Sequence, residues 1–540
     1  MQNTDMVDLP DLIKRANKSR VKLSVSNDNL VVNFPTGEAP DEGLMSLLKI
    51  NKERLKKYLK EHFSFDNNRI HAKPDLTAAN GTELYKATSV QNYWLDDSLD
   101  SEFKKYDTIH GTSLSVFDID GFFDLAIFSR SVQLLIQRHE SLRAYFVRVD
   151  GHFYMGVDNA PSEDKYINIL SEDEISNNSQ IEHFANFEDH RFDPSTGPLF
   201  LVRICCKSPN NWILSIKIHH VICDGYSYDV ILRDLFRYYQ QYVKGGALTI
   251  LPLKAQLKDF MAMENDYVKE NSLADERYWL SRFDSLPPEL FIPGSSMKKS
   301  KIFEQVFDAQ RYEFSSQLAH KVTELAGKKN VNAFVIIQAA LGSFLFRQGN
   351  PGDFCFGTYV LGRDFQGMEQ QVGCFANTKL IRFSFEQQSS YEDVIDAVAK
   401  ANEDMARHRA TTLREILERM GPAGFPERCA FWNINVQFAY AKKEPAVRED
   451  GNDRIVDIGF NITKRKPKPH SLIAIDMQLQ FTSSPDTLHV DAQFDGSRHS
   501  KESILSFLTD FEKYFSALSI SSDVGTGIEE FSHMYPNQRF

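Results

Sequence analysis

No apolar run in this sequence approaches the ~18 residues that a membrane-crossing helix needs. The first fifteen residues, MQNTDMVDLPDLIKR, contain no apolar signal core. Six cysteines are scattered through 540 residues without CxxC spacing, which excludes a disulfide scaffold and a zinc ribbon. Low-complexity tracts and short-period repeats are absent, so fibrous and solenoid architectures are excluded. Positive charge is in deficit: 62 Lys and Arg face 74 Asp and Glu, a formal net charge of −12, which argues against nucleic acid as a partner. What remains is an ordinary globular composition, 42% apolar and 25% charged. The chain is long enough for sizeable cores and several domains. These features predict a reduced, soluble, cytoplasmic protein with no membrane role.

The charge is unevenly spread. Residues 1–60 carry eleven Lys/Arg against eight Asp/Glu, +3, which leaves −15 for the remainder and points to a separate N-terminal module. Asp8 and Pro10 are helix-start residues ahead of Leu12, Ile13 and Ala16. VKLSV and LVVNF then flank Ser26-Asn27-Asp28-Asn29, a β-hairpin pattern with turn formers at its centre. Pro35-Thr36-Gly37 breaks the strand, and Leu44, Leu47, Leu48, Leu55 and Leu59 follow at helical spacing. The order αββα(α) within residues 1–62 allows a thin core and little room for an active site, so binding is the natural role.

Residues 63–82 read as a linker. After it, helices and strands alternate in an α/β (α+β) pattern. LVRICC and NWILSIKIHHV are strands around a Ser-Pro-Asn-Asn turn, and VILRDLFRYYQQYV is an amphipathic helix. LAHKVTELAGKK and NAFVIIQAALGSFLFRQ are helices before a strand, DFCFGTYVL. LIAIDMQLQFTSS and TLHVDAQFD form a hairpin around Ser484-Pro485-Asp486, and LSFLTDFEKYFSAL is a final helix. The stretch near 441–470 is polar and reads as an exposed, loop-like excursion.

The densest chemical constellation is Ile218-His219-His220-Val221-Ile222-Cys223-Asp224-Gly225-Tyr226-Ser227, at a strand end where a helix begins. Such a junction places side chains at a sheet edge beside unsatisfied helix N–H groups. A histidine there can take a proton from an attacking nucleophile near neutral pH. Asp224 is expected to hold the loop through a buried arginine, and Gly225 to permit a tight turn. Two other readings use the same residues. The histidines with Cys223 form a conceivable metal set, although adjacent strand residues point to opposite faces. Cys223 is also a conceivable covalent nucleophile, at a strand-end apolar position. From residue frequencies the full HHxxxDG pattern arises in about one chain per thousand of this length.

These residues resemble the signature of the condensation domains of nonribosomal peptide synthetases, in the chloramphenicol-acetyltransferase-like superfamily. Other segments are similar to that family's motifs in the same order. Ser89–Leu95 (SVQNYWL) resembles the first, with Asn92 and Tyr93 departing, and Arg138–Phe146 (RHESLRAYF) resembles the second nearly throughout. Leu257-Lys258-Asp259-Phe260 is a partial fourth. Gly362-Arg363, Val372–Thr378 (VGCFANT) and Arg382 resemble the fifth. The sixth and seventh are poor: ARHRATTLREILERM lacks HQDxPFE and CAFWNINVQF lacks SRNPL. The resemblance covers roughly residues 83–535. It implies a V-shaped pair of acetyltransferase-like lobes, 83–255 and 256–540, with a central tunnel. It implies that His220 is the active side chain, that His219 is structural, and that Asp224 pairs with an arginine, Arg138 and Arg143 being the candidates. Asn377 is a candidate tunnel residue. No metal and no cofactor of the protein's own is implied; the donor arrives on phosphopantetheine carried by a partner's carrier domain.

The N-terminal 62 residues resemble TubC-type docking domains, αββαα modules whose hairpin captures the C-terminal peptide of an upstream synthetase subunit by strand addition. That resemblance assigns the hairpin to Val21–Val25 with Leu30–Phe34, the peptide surface to Val25, Leu30 and Val32, and charge for an acidic peptide to Lys18, Arg20 and Lys22. Neither a nucleotide-binding adenylation unit nor a carrier-type GGxSL site is found; GGA at 245–247 lacks the serine. Docking module plus condensation domain resembles terminal condensation domains that release a peptide by amide formation with a free amine. The alternatives are an internal condensation domain using an acceptor on another subunit's carrier, and a CoA-dependent acyltransferase of the same superfamily.

Overall fold

The protein is seen as a computed structural model that describes residues 12, 16, 21–26, 29–33, 42–56, 72–78, 81–95, 111–159, 162–245, 252–295, 307–363, 367–387, 389–419, 431–440, 460–465, 475–484 and 486–520. Near the N-terminus, β1 (Lys22–Ser26) and β2 (Asn29–Asn33) pair antiparallel, and α1 (Glu42–Ile50) follows. The strands span 22–26 and 29–33, where 21–25 and 30–34 are expected, and the register pairs Ser26 with Asn29. Leu12, Ala16, Val21, Leu44, Leu48 and Leu55 form a small core, with Leu23, Leu30 and Val32 packed against it.

The next unit runs β3 (Leu76–Thr77), β4 (Glu83–Lys86), α2 (Ser89–Leu95), β5 (Thr112–Gly121), α3 (Leu125–Arg138), β6 (Ala144–Val149), β7 (His152–Val157), β8 (Ile167–Leu170), α4 (Asn178–Ala185), β9 (Phe200–Ser208), β10 (Asn211–His219) and α5 (Gly225–Val243). Then come α6 (Leu257–Arg282), β11 (Phe307–Glu313), α7 (Ser316–Lys329), α8 (Ala333–Arg347), β12 (Asp353–Val360), β13 (Asn377–Ser384), α9 (Tyr391–Arg407), α10 (Leu413–Arg419), β14 (Ile434–Tyr440), β15 (Phe460–Lys464), β16 (Met477–Ser483), β17 (Leu488–Asp495) and α11 (Lys501–Ile520). Among the described residues the two large sheets have the strand orders β15-β5-β10-β9-β8 and β11-β17-β16-β14-β12-β13, and a smaller one has the order β3-β4-β7-β6.

Each large sheet is covered by helices chosen by their apolar faces. In the first lobe Phe128, Val132 and Leu135 of α3 and Ile231, Leu235 and Tyr239 of α5 join Phe117, Ile119, Leu214 and Ile216 of the central strands. β10 is buried from Ile213 to His219, the near-continuous burial of a strand covered on both faces. In the second lobe, α8 is buried at every position from Val335 to Leu345. A helix apolar all round must lie inside, here among α7, α9 and α11.

Three expectations are corrected by the structure. The excursion at 441–470 contains a strand: Phe460–Lys464 adds to β5 at the edge of the first lobe's sheet, burying Phe460 and Ile462. Residues 441–459 and 466–470 lie outside the described residues. The linker 63–82 ends inside the lobe, because β3 pairs with β4 and the Ala72 N–H donates to Asp259 Oδ1 at 2.7 Å. The division at 255/256 is crossed by packing: Leu257, Phe260 and Met261 of α6, with Met368, Val372 and Phe375, belong to the first core. Among the described residues no single helix is long and apolar enough to cross a membrane.

Candidate active site around the His219–Ser227 turn

β10 ends at His219, which is paired in register with Thr112 of β5. A short 3-10 turn, His220–Ile222, follows, and Asp224 caps α5 by accepting the Ser227 N–H at 2.7 Å. Asp and Ser suit this junction because a helix start leaves N–H donors without partners.

The two histidines have different surroundings. His219 is buried, and its Nδ1 accepts the Val221 N–H at 3.1 Å. Burial, reinforced by the nearby charges of His220 and Lys217, pushes its pKa down to about 3, so it stays neutral and holds the turn. His220 is half-buried, with Nδ1 3.3 Å from the Cys223 carbonyl. A carbonyl accepts only from a protonated nitrogen, so this contact assigns the proton to Nδ1 and the basic lone pair to Nε2. The ring lies 5.0 Å from that of Trp94, at 27°.

The Asp224 carboxylate serves as an anchor. Oδ1 accepts from Ser227 Oγ at 2.7 Å and from Arg363 at 2.9 Å. Oδ2 accepts the backbone N–H groups of Phe375 and Ala376, each at 3.2 Å. Ser227 Oγ extends the latch by accepting the Gly373 N–H at 3.0 Å. Arg363 also binds the carbonyls of Met368 and Gln371, and lies over the rings of Tyr226 and Phe375. Charges this deeply buried are tolerated because nearly every polar edge has a partner.

The expected arginine partner of Asp224 is therefore corrected. Arg138 faces Asp234 at 3.2 Å, and Arg143 donates to the carbonyls of Ile136 and Asp158. The pairing is with Arg363 because Arg363 and residues 373–376, not the end of α3, pack over the start of α5. Gly225 is also corrected. Its φ is not in the left-handed region, and an added Cβ would meet nothing within 4 Å, so the backbone does not demand glycine there. The missing side chain leaves open volume beside the turn instead. Cys223 is fully buried with its thiol pushed well above the ordinary range, and Sγ donates to the Asp224 carbonyl, surroundings that do not suit a nucleophile. Among the described residues no group of three or more His, Cys, Asp or Glu side chains is arranged to hold a metal ion.

Asn377 begins β13, directly after the Ala376 N–H that binds Asp224, and pairs with Val360. The partial fourth motif is structural: Asp259 closes the start of α6 by accepting the Gln256 N–H at 2.8 Å while also holding Ala72. Of the docking residues, Lys18 and Arg20 lie outside the described residues. Lys22 and Val25 are on β1, in register with Asn33 and Leu30. Leu30 and Val32 are partly buried and pack against the module's own core. Sequence reasoning missed the roles of Arg363, Ser227 and Trp94, although the first and last lie in segments that resemble motifs.

Comparison with known proteins agrees with this geometry. The condensation-domain family model matches residues 83–524. Bacitracin synthase 1 of Bacillus licheniformis is 22% identical over 386 residues, 71% of this chain and 7% of that protein. The chain thus spans a small fraction of the length of the curated relatives it matches. Among solved structures, the X-domain from teicoplanin biosynthesis superposes with a TM-score of 0.67 at 18% identity, covering 84% of this chain and 99% of that one. The first condensation domain of the calcium-dependent antibiotic synthetase gives 0.60 at 17% identity, covering 83% and 98%. The fold is that of these two-lobed α/β domains, and the chain belongs to the condensation-domain family of nonribosomal peptide synthetases.

Proposed function

We propose that this protein forms an amide between an acyl or peptidyl donor, held as a phosphopantetheine thioester on a partner's carrier domain, and an amine, and that the amine is a small free molecule whose attack releases the product. The observation that carries the reading is His220, half-buried directly after β10 with Nδ1 3.3 Å from the Cys223 carbonyl, a contact that assigns the lone pair to Nε2. In the reaction the amine nitrogen attacks the thioester carbonyl, the C–N bond forms and the C–S bond breaks. One proton passes from nitrogen to the departing thiolate. Nε2 accepts that proton or orients the N–H bond, a contribution of about 10²–10⁴-fold. Positioning of the two reactants supplies much of the remainder. The open volume beside Gly225 suits an extended arm.

The free-amine reading draws on the second lobe, where the sixth and seventh motifs depart from the family pattern. Those departures are built in. His408 Nδ1 lies 3.0 Å from Asp275, Arg409 pairs with Glu264 at 3.1 Å, and buried Lys379 donates to the Arg409 and Thr411 carbonyls. Trp432 Nε1 donates to Asn435 at 2.8 Å, and Asn433 bridges Leu290 and Asp476. A second lobe rebuilt at these positions fits a changed acceptor. The N-terminal module supplies the donor side: the outer edge of the β1–β2 hairpin offers backbone groups to an upstream subunit's C-terminal peptide.

The test is incubation of the protein with a peptidyl thioester on a pantetheine mimic and a panel of aromatic, aliphatic and amino-acid amines, followed by mass spectrometry. Amide with a simple amine supports the proposal. Product that requires a loaded acceptor carrier makes this an internal condensation domain, and product from an acyl-CoA alone makes it a CoA-dependent acyltransferase. Removing residues 1–62 should weaken use of an intact upstream subunit at low concentration without slowing the reaction with the mimic; equal use of the subunit would refute docking.

A further inference from the structure

Trp94 lies in the last turn of α2, and its indole faces the His220 imidazole at 5.0 Å and 27°. The helix is fastened to the catalytic turn: fully buried Gln91 donates from Nε2 to the Val221 carbonyl at 3.4 Å and receives the Thr88 N–H on Oε1 at 3.0 Å. Tyr93 packs edge-on against the same indole at 5.0 Å and 86°.

We propose that Trp94 is a positioning residue for His220, its indole face fixing the imidazole plane so that Nε2 meets the attacking amine in one orientation. The inference rests on His220 carrying the reaction. The terminal torsion of a histidine has a broad well. The contact from Nδ1 to the Cys223 carbonyl is long at 3.3 Å and restrains one edge of the ring. A stacked face removes the remaining rotation. Offset aromatic contacts are attractive, and the attraction grows when the imidazole takes up a proton and becomes a cation over the indole. Trp94 therefore acts on the geometry of the base and on the charge it acquires, without touching the substrate.

Two measurements on the full chain test this. With carbon-13 histidine, the His220 Cε1–H resonance, identified by its loss in His220→Ala, should lie upfield from the indole ring current. It should move toward an ordinary histidine position in Trp94→Leu and stay near the wild-type position in Trp94→Phe. With the peptidyl-pantetheine mimic and a productive amine, Trp94→Leu should lower kcat about 10–100-fold and leave KM within about twofold, while Trp94→Phe recovers most of the loss. Trp94→Leu should cost little further in a His220→Ala background, because coupled residues are non-additive. An unmoved resonance in Trp94→Leu, a loss carried by KM, or a phenylalanine variant as slow as the leucine one overturns the proposal. Should the leucine variant lack the wild-type thermal transition, Trp94→Met replaces it in both measurements. Wild-type turnover in His220→Ala would instead overturn the role of His220, and is told apart because the resonance still responds to Trp94.

Discussion

Two histidine-bearing motif segments of the first lobe use the same parts to different ends. In the first, His139 directly after α3 donates to Asp234 of α5 at 3.0 Å, and Asp234 pairs with Arg138 and Arg233, each at 3.2 Å. In the turn after β10, Asp224 binds Arg363, Ser227 and two backbone N–H groups, and His220 sits beside it. The first cluster has the aspartate–histidine contact that a search for catalytic pairs would select, yet His139 is 1% exposed and its partners join α3 to α5 within one lobe. In the second, the aspartate ties the start of α5 to a segment from beyond α6, and the histidine beside it is left half-buried. An acidic partner marks a tightened joint here; accessibility marks the ring proposed to react.

Substitutions can break this contrast. The largest effect is expected for His220→Ala, a loss of about 10²–10⁴-fold in turnover with an unchanged melting temperature; near-normal turnover would remove His220 from the mechanism. Asp224→Ala should next lower stability by about 3–5 kcal/mol by leaving Arg363 buried without its carboxylate, read as reduced soluble yield and an earlier denaturant midpoint. A stable but inactive Asp224→Ala would reverse the assignment and make the carboxylate catalytic. Asp234→Asn should cost about 1–3 kcal/mol and leave kcat unaltered, the outcome that most sharpens the comparison.

The smallest effect concerns pH. His219 has a folded pKa of about 3, below the ordinary histidine value of 6.5, so the unfolded chain binds a proton that the folded one refuses. Its contribution to stability is complete above pH 6.5 and is lost as pH falls from there through about 3, with a slope of at most about 1.4 kcal/mol per pH unit. Denaturation midpoints between pH 6.5 and 5 should decline less steeply in His219→Asn than in the wild type; an equal decline would show that His219 titrates normally.

Much of the site is legible in the sequence because its residues are contiguous. The strand NWILSIKIHHV, the turn and the amphipathic helix place the histidines, Asp224 and Gly225 from local pattern alone. The helices at 316–329, 333–347 and 501–520 and the final hairpin are legible from the same periodicities. What is not legible depends on pairing between distant segments. Asp224 and Arg363 are 139 residues apart, and nothing local separates Arg363 from Arg138 or Arg143 as a partner. Trp94 reaches His220 through packing of α2, which no sequence period records. The strand 460–464 reads as part of a loop because its polar flanks obscure a short alternation of Phe460 and Ile462.

That strand has a consequence for how the chain is made. Arg465, just after it, forms an ion pair with Asp118, 347 residues earlier, and the strand itself closes the edge of β5. A ribosome that has released residues 83–255 has therefore delivered a sheet whose β5 margin is still bare. At roughly 5–20 residues per second, that margin waits tens of seconds for its cover. Exposed margins of this kind invite pairing with other chains, so replacing Phe460 and Ile462 with aspartate in the full chain should lower the soluble yield.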